Sequence, residues 1–462
     1  MEGLEIAIVN FSELSKVIDY RIEAEYFAHK FLKIDDILSQ IETIPFTKVA
    51  TFINGRPYNS DCFNSIEGVR VSKIGDVTNR REIIEWEYVK SGEFINQKGK
   101  LLVDGDILMT LTGDPPDVGK VNFIRNPQNA SWNQRVAKIR IKSTQKMYSS
   151  NDVLFAVLTT EFVRSQLERY AKGIRQRNLG NESLDRLLVP VLSENTQKMI
   201  EKSIKLSFSS LSESQRLYND AEDQLLEELG LKDWQPSNVP VNIKQLKESF
   251  LASGRLDAEY YQPKYDELFS KLSQFECDTI KDIANIKKSV EPGSEAYQES
   301  GIPFVRVSDV TKFGISEPNV SLSSKDFDLA ALQPKKDTIL LSKDGSVGIA
   351  YKVEEDTDCI TSGALLHLSV FNKEYNPDYL TLVLNSKVVQ MQAERDSNGA
   401  IIQHWKPSEI EQVIIPKLPM PIQEAISAKI QESFALKTES KRLLDEAKMM
   451  VEREIEKGKY II

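Results

Sequence analysis

Two stretches of this chain, residues 195–229 and 421–457, repeat apolar residues at the spacing of an amphipathic helix. The positions seven residues apart are Ile204, Leu211, Tyr218 and Leu225 in the first stretch, and Ile430, Lys437, Leu444 and Val451 in the second. This heptad-like stripe is interrupted by Lys437 and by serines such as Ser207 and Ser214. At 1.5 Å per residue each helix would be roughly 50 Å long. Because neither helix buries its stripe alone, the pattern predicts that the two helices pack on each other.

The remainder of the chain has a different pattern. Short apolar runs broken by Gly, Asp and Pro predict strands joined by turns. Helical spacing returns only near residues 151–170 and 378–396. The predicted fold class is therefore mixed α/β, or α+β, with two long helices added.

The chain also repeats itself. Residues 21–31 and 255–265 share the order Arg, aliphatic, acid, Ala-Glu-Tyr, aromatic, two variable residues, Lys, aromatic. Val69-Arg-Val-Ser returns as Val305-Arg-Val-Ser, which predicts that Lys73-Ile-Gly is an insertion in the first copy. Beyond Gly173 and Gly399 the two copies keep a constant offset. This pattern predicts a pseudo-twofold internal repeat, with two similar globular domains that are each followed by a long helix.

The duplication sets the predicted domain boundaries. A helix-terminating glycine and two prolines mark a linker after the first long helix. The predicted segments are a first domain at 1–193, a first long helix at 194–229, a linker at 230–245, a second domain at 246–419 and a second long helix at 420–462.

Composition limits the protein classes that remain. The net charge of −10 is a weak argument against nucleic-acid binding, since local patches and not the total charge govern binding. Three cysteines far apart argue against a disulfide framework and the usual zinc spacings. The sequence lacks a long apolar run and the pattern of a signal peptide, which predicts a cytoplasmic protein without a membrane partner.

The most enzyme-like string is Gly113-Asp-Pro-Pro-Asp-Val-Gly-Lys120. A phosphate-binding loop needs four residues between its glycines and Ser or Thr after the lysine, whereas this string has five and then Val121. The Asp-Pro-Pro-aromatic motif of amino-methyltransferases would need an aromatic residue where Asp117 stands. The second copy has neither motif, so the sequence predicts a turn or a recognition loop and no catalytic residue.

The three histidines, His29, His367 and His404, have no Cys, Asp or Glu at ligand spacing, so no metal site is predicted. His367 lies on an apolar strand and is expected to pack in the core. His404 lies in a polar and aromatic loop, where a nucleic-acid contact and an ordinary surface role are both open.

Basic and amide side chains cluster at corresponding places in both copies, although their identities differ. Arginine suits guanine, and glutamine or asparagine suits adenine, so loops of these residue types can read bases. The alternative is a solvated charged face, which is the usual reading of any single cluster. The predicted DNA-binding residues are Arg70, Lys73, Arg80, Arg81, Arg135, Arg175, Gln176, Arg177, Asn178, Arg306, Lys312, Lys343, Gln403, His404 and Lys406.

The aromatic pairs Tyr26-Phe27 and Tyr260-Tyr261 belong to the repeated opening segment. We expect them to pack each globular domain onto its helices. A contact with a partner protein or with the DNA backbone is the alternative.

These repeated segments resemble the specificity (S) subunit of type I restriction–modification systems. The resemblance rests on the two acid-Ala-Glu-Tyr-aromatic segments, the Val-Arg-Val-Ser and Asp-Val-Thr segments, and the strings Leu188-Val-Pro and Ile414-Ile-Pro that lead into each long helix. It covers essentially the whole chain, and the duplicated order of the motifs is more specific than any one of them.

The resemblance implies two target recognition domains that read the halves of a bipartite DNA site. It implies that the long helices form an antiparallel coiled coil that spaces the domains. It also implies a chain without catalytic activity or a cofactor of its own. Two methyltransferase (M) subunits that use S-adenosylmethionine, and through them the restriction (R) subunits, are the expected partners. The alternatives are a coiled-coil adaptor that binds only protein, and a methyltransferase.

Overall fold

The computed structural model describes residues 7–10, 22–64, 66–78, 87–96, 100–114, 117–173, 176–239, 241–397 and 403–458. The chain divides into two compact units. Unit 1 comprises Met1–Ser210 and Glu439–Ile462, and unit 2 comprises Leu211–Thr438. Each long helix therefore contributes one part to each unit, whereas the sequence predicted boundaries at the helix ends. Those domain boundaries stay a prediction.

The helices are α1 (His29–Gln40), α2 (Phe46–Val49), α3 (Ile74–Thr78), α4 (Ser91–Asn96), α5 (Asn151–Thr159), α6 (Glu161–Tyr170), α7 (Asn181–Arg186), α8 (Glu194–Glu228), α9 (Phe250–Ser253), α10 (Pro263–Leu272), α11 (Ile280–Ile283), α12 (Leu329–Leu332), α13 (Pro377–Asn385), α14 (Lys387–Asp396), α15 (Pro407–Ile410) and α16 (Met420–Gly458). Short 3₁₀ turns lie at Ala24–Phe27, Ser60–Cys62, Ala258–Tyr261, Ser294–Ala296 and Val307–Asp309. The long helices α8 and α16, of 35 and 39 residues, were predicted within a few residues of these bounds. No helix in the described ranges is long and apolar enough to cross a membrane.

The strands are β1 (Thr43–Pro45), β2 (Ala50–Asn54), β3 (Phe63–Asn64), β4 (Val69–Ser72), β5 (Tyr88–Val89), β6 (Ile107–Thr110), β7 (Thr112–Gly113), β8 (Val121–Phe123), β9 (Ala130–Trp132), β10 (Val136–Ile141), β11 (Arg177–Asn178), β12 (Leu188–Pro190), β13 (Cys277–Thr279), β14 (Ala284–Lys288), β15 (Ile302–Val305), β16 (Val310–Thr311), β17 (Gly314–Ile315), β18 (Ser321–Leu322), β19 (Ile339–Ser342), β20 (Ala350–Lys352), β21 (Ile360–Thr361), β22 (Leu365–Val370) and β23 (Ile414–Pro416). The fold is mixed α/β, as predicted.

Unit 1 is built around the antiparallel sheet β2-β10-β6-β8. A second sheet, β3-β5-β4-β9, contains the parallel pair β4 and β9. The inner faces of β6 and β10 and the helices α5 and α6 enclose a core that includes Ile107, Ile139 and Leu154. Val451 from α16 belongs to the same core, so the long helix closes one side of this unit.

Unit 2 repeats this arrangement with its own strands. Its main antiparallel sheet has the order β14-β22-β19-β20, and β15 pairs in parallel with β21. The core includes Ile339 and Leu368 from the sheet and Tyr218 and Leu225 from α8. The order of elements in the two main sheets is therefore the same in both units.

In unit 1 the repeated opening segment packs against α6. Tyr26 and Phe27 are buried. The guanidinium of Arg169 lies 4.3 Å from the centroid of the Tyr26 ring, and its Nε donates a 2.8 Å hydrogen bond to the Tyr26 carbonyl. Lys30 Nζ lies 2.7 Å from Glu168 Oε1. The contacts of this segment are therefore packing contacts, which is the favoured interpretation of the sequence.

The equivalent segment of unit 2 makes equivalent contacts with α14. Lys264 Nζ lies 2.8 Å from Glu394 Oε1, and the guanidinium of Arg395 lies 4.9 Å from the centroid of the Tyr260 ring. The repeated lysine and the repeated Glu-Arg pair thus meet in each unit, although more than a hundred residues separate them along the chain.

Within unit 1, α8 and α16 run antiparallel. Ser207 Oγ lies 2.9 Å from Ser440 Oγ, and Ser193 Oγ, in the residue just before α8, lies 3.3 Å from Glu454 Oε2. The contact partner in α16 has a lower residue number when the residue on the α8 side has a higher one, which is the pattern of antiparallel helices. Ser207 and Ser440 are both buried. Ser207, which interrupts the heptad stripe, therefore has a hydroxyl partner inside the helix pair.

Unit 2 contains the same kind of contact between the other parts of the two helices. Ser214 Oγ lies 3.1 Å from Ser433 Oγ, and Lys429 Nζ donates to Gln224 Oε1 at 2.8 Å. Lys437, the charged residue in the predicted stripe, donates instead to the Phe313 carbonyl at 3.2 Å. The interruptions of the stripe are thus paired polar groups.

His367 lies in β22, in the core of unit 2, as the sequence predicts. Burial, together with the charge of Lys287, lowers the pKa of His367 from 6.5 to about 4. Its Nε2 lies 2.7 Å from Thr361 Oγ1. Because a lowered histidine pKa favours the neutral form in the folded state, this contribution to stability is complete above pH 6.5. It is lost as the pH falls from 6.5 towards 4.

A His367→Gln variant is therefore expected to be less sensitive to acid. By pH 5 the wild-type chain should have lost about 2 kcal/mol of unfolding free energy through this residue, relative to pH 7. The variant keeps a polar partner for Thr361 but does not titrate. Chemical denaturation of both proteins at pH 7 and pH 5 measures the difference, and equal losses in both proteins would contradict the assignment.

Candidate nucleic-acid interface

Lys73 and Arg306 occupy the same place in the two units, directly after β4 and β15. The backbone N–H of Lys73 donates to Asp76 Oδ2 at 2.7 Å, and the N–H of Arg306 donates to Asp309 Oδ2 at 2.8 Å. The predicted insertion after β4 was therefore wrong, because the structure aligns Lys73 with Arg306 without a gap. Each unit thus places a cation at the end of the strand that takes part in its parallel pair.

In unit 1 this cation, Lys73, lines a groove of about 630 Å³. Its lining includes Tyr58, Phe63, Asn64, Lys73, Glu87, Gln134 and Arg135. Lys73 forms an ion pair with Glu87, and its Nζ lies 4.0 Å from the centroid of the Phe63 ring. The groove thus combines aromatic rings, amide groups and positive charge, which are the groups that contact nucleic acids.

The turn between β9 and β10 forms one wall of this groove. The Asn133 N–H donates to the Ser72 carbonyl at 3.0 Å, and Asn133 Oδ1 accepts from the Arg135 N–H at 3.0 Å. Gly55 packs against the same turn, where an added Cβ would lie 2.0 Å from the Asn133 carbonyl oxygen. The backbone that carries Gln134 and Arg135 is therefore held on several sides.

Arg135, in the turn before β10, differs from the cations in and just after that strand. Lys138 Nζ and Arg140 Nε lie 3.6 Å and 2.9 Å from the buried carboxylate of Asp106. Lys142 donates to the Thr47 carbonyl. The Arg135 side chain is exposed, and among the described residues it makes no recorded ion pair or side-chain hydrogen bond. Among these four described cations, Arg135 is thus the one that remains available to a ligand.

A second polar site of unit 1 lies where β7 pairs with β11. Thr112 Oγ1 donates to Asn178 Oδ1 at 2.8 Å, and both residues are part of the surface. Gln176 is exposed beside them. Arg177 Nη1 donates to the Glu168 carbonyl at 3.4 Å. Gln176 and Asn178 are thus presented together, while Arg177 bonds to the end of α6.

Unit 2 has a matching pair of side chains. His404 Nδ1 lies 2.8 Å from Asp344 Oδ1, and an isolated bridge joins the two backbones. Burial alone would raise the pKa of Asp344, but hydrogen bonds from Lys343 and His404 outweigh burial and lower it. Asp344 and His404 thus occupy the positions in unit 2 that Thr112 and Asn178 occupy in unit 1.

Three further predicted residues of unit 2 are placed differently from one another. Gln403 is exposed beside His404. Lys406 Nζ lies 3.2 Å from Glu409 at the start of α15. Lys312 Nζ lies 2.7 Å from Glu222 on α8. Lys312 therefore contacts the long helix, away from the loop that carries Gln403.

The structure brings the predicted site residues together in three places. Lys73 and Arg135 share the groove of unit 1, and Gln176 and Asn178 share one loop. The third group, in unit 2, consists of Lys343, Gln403, His404 and Lys406. Arg70 lies on β4 with its guanidinium 5.9 Å from the centroid of the Tyr88 ring. Arg80, Arg81 and Arg175 lie outside the described residues, and DNA contact by every residue of the predicted set stays a prediction.

Sequence reasoning missed Gln134, Tyr58 and Asn64, which line the same groove as Arg135. The signal for Gln134 was its position next to Arg135 in a polar turn between two apolar strands. No comparable signal marked Tyr58 or Asn64, because the strand pairing that brings them near the turn is not visible in the sequence.

The enzyme-like string of unit 1 forms a turn where it is described. Lys120 Nζ lies 2.7 Å from Asp117 Oδ1, so the lysine pairs within its own loop. Among the described residues no group of three or more His, Cys, Asp and Glu side chains is placed to hold a metal ion.

Comparisons with known proteins bear on the second copy and on the whole chain. The sequence model of the family described as "Type I restriction modification DNA specificity domain" matches residues 273–448. No curated protein matches the chain.

Three similar solved structures each have 14% sequence identity to this chain. The S subunit of a type I restriction–modification system from M. genitalium has a TM-score of 0.39, with 90% of this chain and 95% of that one covered. A chain from a study of complex assembly and conformational transition of the type I R-M system has a TM-score of 0.29, with 90% and 97% covered. The HsdS subunit from Thermoanaerobacter tengcongensis has a TM-score of 0.28, with 89% and 95% covered. The sequence similarity to the type I restriction modification DNA specificity domain is thus shown for residues 273–448 of this chain.

Proposed function

We propose that this chain is the DNA sequence-recognition subunit of a type I restriction–modification complex. The match of residues 273–448 to the specificity-domain family carries the proposal. The second observation in its favour is that unit 1 repeats the strand order of unit 2 while it presents different polar side chains. Two units that share one fold but expose different side chains suit a protein that reads two different half-sites.

The proposed function implies a division of labour between this chain and its partner subunits. Phosphate contacts from lysine and arginine would supply salt-dependent affinity, and the polar side chains of the loops would supply sequence choice. The chain itself would carry no catalytic group and no cofactor. Two methyltransferase subunits would bind S-adenosylmethionine and flip the target base, and restriction subunits would join through them in the cytoplasm.

The long helices have a role in this proposal as well. Helices of 35 and 39 residues extend for roughly 50 Å, which exceeds one turn of DNA at about 34 Å. We infer that they form an antiparallel coiled coil that acts as a spacer and sets the gap between the half-sites. The duplicated sequence predicts a pseudo-twofold arrangement, which would allow both recognition surfaces to bind the same DNA duplex.

Selection from a random pool of duplex DNA tests the function. The full chain, co-expressed with its methyltransferase subunit, is expected to recover sequences with two fixed blocks and one fixed gap. Its affinity should fall linearly with rising salt on logarithmic axes, because bound cations are released from the phosphates.

Two other outcomes would contradict the proposal. Recovery of DNA without a common sequence would indicate non-specific binding. An absence of salt-dependent DNA binding would favour the alternative, a duplicated coiled-coil adaptor that binds only protein.

A further inference from the structure

We propose that the groove of unit 1 reads base edges in the major groove of one half-site, with Gln134 and Arg135 as the reading side chains. This inference rests on the proposed function and assigns it to particular atoms. The ligand is duplex DNA with a guanine or an adenine at the contacted positions. The arginine fork matches O6 and N7 of guanine, and the glutamine amide matches N6 and N7 of adenine.

The turn between β9 and β10 presents these two side chains on a fixed backbone. The Asn133 N–H bonds to the Ser72 carbonyl at 3.0 Å, and the Arg135 carbonyl accepts from the Leu111 N–H at 2.8 Å. Both side chains are exposed. A side chain that reads a base loses less conformational freedom on binding when its backbone is already ordered. The turn between β9 and β10 meets this requirement.

The charges near the groove also favour Arg135 as the residue that binds a ligand. Lys73 is paired with Glu87 at the groove, and Lys138 and Arg140 are both engaged by Asp106. Among the described residues Arg135 has no such partner. An unpaired guanidinium beside aromatic rings and amides is arranged for an external acceptor, and a base edge offers two acceptors in the geometry of the arginine fork.

Unit 2 forms the same turn without side chains that could read a base. The Ser362 N–H donates to the Val305 carbonyl at 2.8 Å, as Asn133 does to Ser72. Isolated parallel bridges join Arg56 to Asn133 and Val290 to Ser362. The residues after Ser362 are Gly363 and Ala364, where unit 1 has Gln134 and Arg135. The two units therefore share the turn and differ in the groups that can contact a base.

This difference supplies the test. The double substitution Gln134→Gly with Arg135→Ala gives unit 1 the residue types that the same turn carries in unit 2. Because unit 2 forms the turn with these residues, the variant is expected to fold, which circular dichroism and thermal unfolding check. The variant and the wild-type chain, each with the methyltransferase subunit, are then compared in the DNA selection and in binding to single-base variants of the recovered site.

We expect the variant to lose about tenfold to hundredfold discrimination at one or two base pairs of one block, with the other block unchanged. Arg135→Lys is the matched control. It keeps the positive charge but not the fork, so affinity should change little while the preference at the contacted base pair is lost.

Each other result has a distinct meaning. If the wild-type chain recovers no bipartite site, the proposed function fails, and this inference fails with it. If the wild type recovers such a site and the double variant keeps every preference, the groove assignment alone is overturned. A uniform loss of affinity for all sequences, restored by Arg135→Lys, would show a phosphate contact and would overturn base reading.

Discussion

Replacing Asp378 with alanine is expected to lower the unfolding free energy of unit 2 by about 3 kcal/mol. Lys352 Nζ lies 3.0 Å from Asp378 Oδ1, and the side chains are 7% and 4% exposed. Asp378 Oδ2 accepts hydrogen bonds from Ser427 Oγ at 2.7 Å and from Gln431 Nε2 at 2.8 Å. This one carboxylate therefore joins β20 and the start of α13 to the first turns of α16.

The size of the effect follows from what the substitution leaves behind. Burial alone would lower the pKa of Lys352, but the ion pairs with Asp378 and Glu354 together outweigh burial and raise it. Without Asp378, the carboxylates left to the buried ammonium among the described residues are the more exposed Glu354 and Asp337, at 3.2 Å and 3.5 Å. Breaking a buried pair costs more than replacing both partners, because a single unpaired charge remains.

Chemical denaturation of the full chain measures this effect. Adding Lys352→Met to the Asp378→Ala variant is the control, since it removes the stranded charge and should restore much of the lost stability. A loss below about 1 kcal/mol in the single variant, or no recovery in the double variant, would contradict the described role of the pair.

Lengthening both long helices by one heptad is expected to lengthen the gap in the recognised DNA site. A second copy of residues 209–215 would be inserted after Phe208, and a second copy of residues 432–438 after Thr438. Ser214 and Ser433 face each other in unit 2, so the two inserted segments are expected to pair as their originals do. Ser207 and Ser440 keep their own contact, and the packing described within each unit is preserved.

Seven residues add about 10 Å to a helix, which equals the rise of about three base pairs. A rod inclined to the DNA would transmit less, so the expected increase is between one base pair and about three. The gap is read from the DNA selection with the wild-type chain in parallel. An unchanged gap would refute the spacer role, while loss of one block would show that the second half-site was no longer reached. An insertion in one helix alone should disrupt folding, because the pairing then shifts on one side only.

The comparison of sequence and structure is most instructive where the repeat was misaligned. Val69-Arg-Val-Ser and Val305-Arg-Val-Ser are the same four residue types, but they do not occupy the same positions in the fold. The backbone bond from Lys73 to Asp76, matched by the bond from Arg306 to Asp309, fixes the true alignment. Four identical residue types were a weaker guide than a carboxylate that accepts a hydrogen bond from the backbone N–H three residues before it.

The long helices, the duplicated strand order and the core position of His367 were accessible from periodicity, because each depends on the spacing of apolar residues along the chain. Charge partners were not accessible in that way. Lys312 meets Glu222 from ninety residues away, and Lys73 meets Glu87 only because β5 pairs beside β4. Whether a cation is free or paired depends on such contacts between distant parts of the chain, which the spacing of residues does not show.

The buried serine pairs of the long helices have a consequence for precision. A seam of leucine alone would bind more tightly, but it could slide by one turn at little loss, since one apolar side chain resembles another. Sliding α8 past α16 by a turn would set the hydroxyls of Ser207 and Ser214 against apolar side chains, at a cost of about 1–3 kcal/mol for each buried group left without a partner. The buried serines thus make the association of α8 with α16 weaker, but they favour a single register of the two helices. For the spacer role proposed above, a fixed alignment of the two helices matters more than tight association between them.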